Sequence, residues 1–185
     1  MLSFVNLQEI QNLLLRVPAL VRDLERREPG FASSVKEWLI ECEQILVGNR
    51  LPIAAGVAAL RGIVISAERG VSPPGLVFNQ RLSLRKIKDA AAGDVLRRAE
   101  EVIAGAIAAD AARFAEGEKL MRQVVAVAER KGLVLAEALP EPGSARLRTI
   151  WQGMTSDPEL GPATTRLVGL VGGRDALVLL DRVLP

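Results

Sequence analysis

The amino-acid sequence predicts an all-α protein, a helical bundle built around a long central helix with a small helical subdomain at its C-terminal end. Ala, Leu, Arg and Glu, which all favour helices, are abundant among the 185 residues. Aromatic residues total only 3% and tyrosine is absent, whereas strands favour aromatic and β-branched residues. No segment alternates cleanly between apolar and polar residues, and apolar residues instead recur every three or four positions, as they do on one face of a helix.

The first helix is expected to begin near Ser3 or Asn6 and to end at about Arg27. Pro18 lies inside this apolar pattern. Because proline has no backbone N–H and its ring clashes with the preceding turn, it should either kink this helix or split it into two.

A second helix is expected to start at Ser34, which forms a capping box with Glu37, and to stop at Gly48-Asn49. A third should begin at Pro52, which suits a first helical turn, and end at about Glu68. The third helix is apolar nearly all round, so we expect it to lie centrally in the bundle.

Residues 83–131 contain no proline and keep helical spacing throughout, so they should form the central helix. This segment could be one straight helix, or it could be interrupted at 115–117 or kinked at Gly93. Small residues on it would let a partner helix approach closely, namely Ala91, Ala99 and Ala106. The preceding segment 70–82 is rich in turn-forming residues and is either a plain connector or a functional loop.

The domain organisation follows from one strong boundary signal, Pro140-Glu141-Pro142-Gly143. We therefore predict a main bundle at 1–139, a linker at 140–143 and a small C-terminal helical subdomain at 144–185. Three short helices are expected in that subdomain, at 145–154, 162–171 and 174–184.

Several enzyme classes are excluded by composition. The chain has no histidine and one cysteine, Cys42, so histidine-based triads, histidine metal ligands and cysteine-ligated zinc are impossible. Cys42 lies on an apolar helical stripe, as expected of a core residue. Asp110 also lies on such a stripe, where an unpaired carboxylate is costly, so it should pair with an arginine, face a wet groove or mark a break in the helix. The sequence therefore predicts no catalytic residue, no cofactor, no metal and no enzyme activity.

The most hydrophobic stretch, 51–67, is too short for a typical membrane span and carries Arg61 near its middle. The first residues lack the basic and apolar pattern of a signal peptide. We therefore expect a cytoplasmic protein that does not enter membranes.

Charge is unevenly distributed although the net charge is only +2. Residues 81–98 contain six basic and two acidic residues, whereas residues 99–143 contain eight acidic and five basic ones. The basic residues are candidates for contact with an anion, a nucleic acid or an acidic protein: Arg81, Arg85, Lys86, Lys88, Arg97 and Arg98.

Two hypotheses of function follow. The first is a non-enzymatic assembly subunit that acts through protein–protein contacts, with another chain or with itself, because its apolar fraction is high and its long helix is lined by small residues. The second is a helical subunit of a larger complex that contacts nucleic acid through residues 81–98.

Overall fold

The computed structural model describes residues 1–71, 83–134 and 145–184, and within these ranges the chain is helical and contains no strand. The predicted all-α class with its long central helix is confirmed. Eight helices occur in the described ranges: α1 (Phe4–Leu14), α2 (Val17–Glu25), α3 (Phe31–Gly48), α4 (Ala54–Glu68), α5 (Leu84–Arg130), α6 (Ala145–Ser156), α7 (Gly161–Val171) and α8 (Gly173–Val183).

The chain forms two compact units, mainly from residues 4–108 and 109–185, and α5 contributes residues to both. The predicted linker 140–143 lies outside the described residues, and so does most of the predicted loop 70–82. The division into 1–139 and 144–185 therefore stays a prediction.

Pro18 splits the N-terminal helical pattern into two helices. The helix α1 ends at Leu14, the residue four positions before Pro18 whose carbonyl the proline ring would obstruct. Pro18 then lies in the first turn of α2, where no intrahelical donor is needed.

The start predicted for the second helix is wrong. The helix α3 begins at Phe31, and the N–H of Ser34 donates to the carbonyl of Gly30 at 3.0 Å, so Ser34 lies inside the first turn. No side chain caps this helix. Phe31 is almost fully buried, and burial of so large a ring stabilises an earlier start more than a capping box at Ser34 would.

The third helix, in contrast, starts later than predicted, because Pro52 lies in the turn before α4 and the helix begins at Ala54. The helix α4 packs against α3, and two ion pairs connect the two helices. Lys36 Nζ lies 2.8 Å from Glu68 Oε1, and Arg61 Nε lies 3.0 Å from Glu43 Oε2. Arg61 therefore has an ionic partner, and no helix in the described ranges is both long and apolar enough to cross a bilayer.

The core of the 4–108 unit is centred on Trp38, whose side chain is fully buried. Its indole Nε1 donates to the carbonyl of Leu13 at 3.0 Å, which ties α3 to the end of α1. This bond satisfies the one polar atom of the indole, as burial of a tryptophan requires.

The central segment is one uninterrupted helix, so the interruption considered at 115–117 does not occur. The kink considered at Gly93 stays a prediction. In the 109–185 unit, α5 lies so close to α7 and α8 that a Cβ at Gly117 would be 2.6 Å from Cγ1 of Val171. Gly117 therefore permits close helix packing instead of forming a turn. The three short C-terminal helices α6, α7 and α8 occur within two residues of their predicted bounds.

Candidate interaction surfaces

Cys42 is fully buried, and burial raises the pKa of its thiol to about 12, with a further contribution from the neighbouring carboxylate of Glu41. A thiol with so high a pKa stays protonated at neutral pH and is a poor nucleophile. Cys42 therefore acts as a small core residue.

Asp110 has a structural partner. Its Oδ1 lies 2.8 Å from Nη2 of Arg113, and both side chains are largely shielded from solvent. Arg113 also donates from Nη1 to the carbonyl of Leu170 at 3.2 Å and stacks over the ring of Phe114, 4.3 Å from its centroid. Asp110 and Arg113 thus tie α5 to the end of α7 within the 109–185 unit. In the described ranges, no cluster of three or more acidic or cysteine residues is arranged to hold a metal ion.

The middle of α5 carries an exposed segment without charge. None of the eight residues from Val102 to Ala109 is charged, and only Ile103 and Ile107 among them are buried. Exposed faces of helices in globular proteins normally carry charged or polar side chains. An uncharged exposed face of this length indicates a surface that another helix can cover.

One stripe on α5 has the spacing of a coiled-coil interface. Val102, Gly105, Ala109 and Ala112 follow one another at intervals of three, four and three residues, and all four are exposed. This alternation places them on one side of the helix, as in a heptad repeat. The next positions in the same alternation are Arg98 and Glu116, whose side chains are 45% and 55% exposed. We call these six positions the α5 stripe.

The basic residues predicted as a possible contact site do not share one environment. Arg97 pairs with Glu101 at 2.7 Å and with Asp94 at 3.3 Å, and Arg98 pairs with Asp94 at 3.4 Å. These two arginines are therefore partly neutralised by carboxylates on their own helix. Arg81 lies outside the described residues, and Lys88 is half-buried.

Two of the predicted residues, Arg85 and Lys86, line a groove between the end of α2 and the first turns of α5. The groove has a volume of about 590 Å³. Arg85 donates from Nη2 to the carbonyl of Arg27, and its Nε lies 3.7 Å from Oδ2 of Asp89. The described residues that line it are Leu24, Arg27, Ser83, Arg85, Lys86, Asp89 and Ala90. We call this the α2–α5 groove.

Arg27 belongs to this groove and was missed by sequence reasoning, which treated it only as the end of the first helix. Its proximity to Arg85 depends on a contact between residues far apart in sequence. One local signal existed, because Arg27 directly follows the C-cap of α2, a position where glycine is usual.

The fold and these surfaces define an all-α protein with an exposed uncharged helix face and a separate basic groove. Comparisons with protein-family models, with curated proteins and with solved structures each found no match.

Proposed function

We propose that the protein is a non-enzymatic helical assembly subunit that acts through protein–protein contacts on the α5 stripe, and that its partner there is a second copy of the same chain. The observation that supports this most directly is the exposed, uncharged course of α5 from Val102 to Ala109. We further propose that the protein works in the cytoplasm and not in a membrane.

The residue types of the stripe suit close helix pairing. Gly105, Ala109 and Ala112 have minimal side chains, so two helices can approach closely and gain contacts along their backbones. Because these side chains have little or no rotamer freedom, ordering them at an interface costs almost no side-chain entropy. Removing Val102 and the alanines from water supplies the hydrophobic part of the association free energy.

The charges at the ends of the stripe favour an antiparallel pair of identical helices. In an antiparallel pair, the two-fold axis passes at the level of residue 107. Gly105 then faces Ala109 of the partner and Val102 faces Ala112 of the partner, because the two residues of each pair are equally far from position 107. Arg98, which also pairs with Asp94 of its own helix, then faces Glu116 of the partner, and Glu116 also pairs with Arg166 of its own chain. A parallel pair would instead place Arg98 beside Arg98 and Glu116 beside Glu116, and such like-charge pairs are destabilising.

Contact with nucleic acid through residues 81–98 has less support. Arg97 already contacts two carboxylates of the same helix, those of Asp94 and Glu101, and a phosphate would have to compete with both.

Light scattering after size-exclusion chromatography tests the proposal over a wide range of protein concentration. We expect the wild-type chain to form dimers and Ala109→Glu to weaken dimerisation at least about tenfold, equivalent to ~1.4 kcal/mol, because it places two carboxylates in the interface. Ala104→Glu is the matched control. It makes the same substitution at an exposed position of α5 that lies outside the alternation of the α5 stripe, and it should leave the dimer unchanged.

A charge exchange then tests the antiparallel arrangement. Arg98→Glu should weaken the dimer, and the double variant Arg98→Glu/Glu116→Arg should restore it. A wild-type chain that is monomeric at every concentration, or equal losses with Ala109→Glu and Ala104→Glu, would overturn the proposal.

A further inference from the structure

We propose that the α2–α5 groove binds a small organic phosphate, with the phosphate group held by the basic side chains and the organic part lying against the apolar floor. This site is separate from the α5 stripe, and the proposal does not depend on self-assembly.

The groove has an excess of positive charge that its own acids do not neutralise. Among the described residues that line it, three have basic side chains (Arg27, Arg85 and Lys86) and one has a carboxylate (Asp89). Asp89 lies near Arg85. Among the described residues, no carboxylate lies within ion-pairing distance of the Arg27 guanidinium or the Lys86 ammonium. The described lining residues carry a net charge of +2, which balances the charge of a phosphate monoester dianion.

The backbone at Arg27 allows its side chain to be removed without straining the chain. Arg27 has φ +56°, in the left-handed region that residues other than glycine rarely adopt. It follows α2 in the arrangement typical of a glycine: the N–H of Glu28 donates to the carbonyl of Asp23 at 2.9 Å, and the N–H of Arg27 donates to the carbonyl of Leu24 at 3.0 Å. Glycine at position 27 therefore relieves backbone strain while it removes the basic side chain.

The same backbone arrangement occurs once more and provides a control. Arg50, after α3, also has φ +56°, and its N–H donates to the carbonyl of Val47 at 2.9 Å. Arg50 does not line the α2–α5 groove. Replacing either arginine by glycine relieves the same backbone strain and removes the same charge, so only the location differs.

The shape of the groove indicates a ligand with an apolar part. Leu24 and Ala90 contribute apolar surface beside the basic groups, and a volume of about 590 Å³ is within the usual range for small-molecule sites. The guanidinium of Arg85 is held by the carbonyl of Arg27, which orients its remaining donors before a ligand arrives. Arginine binds phosphate through paired N–H donors, and lysine adds a compact charge.

Isothermal titration calorimetry with two probes, inorganic phosphate and phenyl phosphate, tests this proposal on the full chain. We expect phenyl phosphate to bind more tightly, because its ring can contact Leu24 and Ala90. Arg27→Gly should weaken this binding at least about tenfold and Lys86→Gln several-fold. Since glycine suits the backbone at position 27, Arg27→Gly should not lower the thermal unfolding midpoint, so weaker binding cannot be attributed to unfolding.

Three results would overturn the proposal. The first is a wild-type chain that does not bind phenyl phosphate. The second is an equal loss of affinity in Arg50→Gly, which would show that only overall charge matters. The third is tighter binding of a short DNA duplex than of phenyl phosphate, with a steep dependence on salt, which would assign the groove to nucleic acid.

Discussion

Close packing at Gly117 makes a quantitative prediction about the 109–185 unit. A Cβ at this position would lie 2.6 Å from Cγ1 of Val171 and 3.3 Å from Cδ1 of Leu179. Both neighbours are buried, and valine is stiff at χ1, so α7 must shift if Gly117 becomes alanine. Overpacking of this kind costs about 1–3 kcal/mol, and alanine recovers roughly 0.5–1 kcal/mol through its better helix propensity.

We therefore expect Gly117→Ala to lower the free energy of unfolding by about 1 kcal/mol, near the middle of a net range of about 0–2.5 kcal/mol. In a chain of 150–250 residues each kcal/mol lowers the melting temperature by about 2–4 °C, so calorimetry or circular dichroism can measure the change. Gly153→Ala is the control, because a Cβ there meets no atom within 4 Å, and it should stabilise the helix slightly. Equal stability of the two variants would refute the close contact between α5 and α7.

Two further predictions concern titratable groups. Cys42 should not react with a thiol reagent at neutral pH until the protein unfolds, because burial raises the pKa of its thiol to about 12; fast labelling of the native chain, followed by absorbance, would contradict its core position. Lys131 lies 2.7 Å from Oδ1 of Asp157 and holds the pKa of that carboxyl below its ordinary value. The stabilisation from ionised Asp157 is therefore present above its ordinary pKa and is lost as pH falls through the lowered one. Asp157→Asn should be less stable than wild type at neutral pH, and acid denaturation curves should show the difference shrinking below about pH 4; a difference independent of pH would contradict the ion pair.

The sequence predicts the helices well where the apolar periodicity and the helix-breaking residues place a helix end at the same position. Pro18 marks the division between α1 and α2, and Gly172-Gly173 marks that between α7 and α8. These signals are local, because a proline ring or a missing side chain acts on its own turn of backbone. Local signals therefore place most helix ends within a few residues.

Tertiary contacts explain what sequence reasoning missed. The capping box at Ser34 is locally sound, but burial of Phe31 extends α3 by one turn. Gly117 is flexible in isolation and could form a turn, yet it is held in a continuous helix that packs closely against Val171. The partners of such residues lie far away in sequence, so periodicity cannot reveal them.

The candidate surfaces show the same distinction between local sequence signals and tertiary contacts. The basic character of residues 81–98 can be read from the sequence, whereas the pairing of Arg97 with carboxylates and the proximity of Arg85 to Arg27 depend on the fold. The sequence shows that α5 contains small residues, but it does not show which of them are exposed. Ala91 and Ala99 are buried, while Ala106 is exposed.

The most direct test of self-assembly through the α5 stripe is disulfide crosslinking between two single variants, Gly105→Cys and Ala109→Cys. The natural thiol, Cys42, is buried, so the introduced thiol is the accessible one in each variant. The antiparallel pair predicts that a mixture of the two variants crosslinks rapidly into a mixed dimer under mild oxidation, because position 105 faces position 109 of the partner. Absence of crosslinking in the mixture, or crosslinking of each variant alone as fast as in the mixture, would contradict this account.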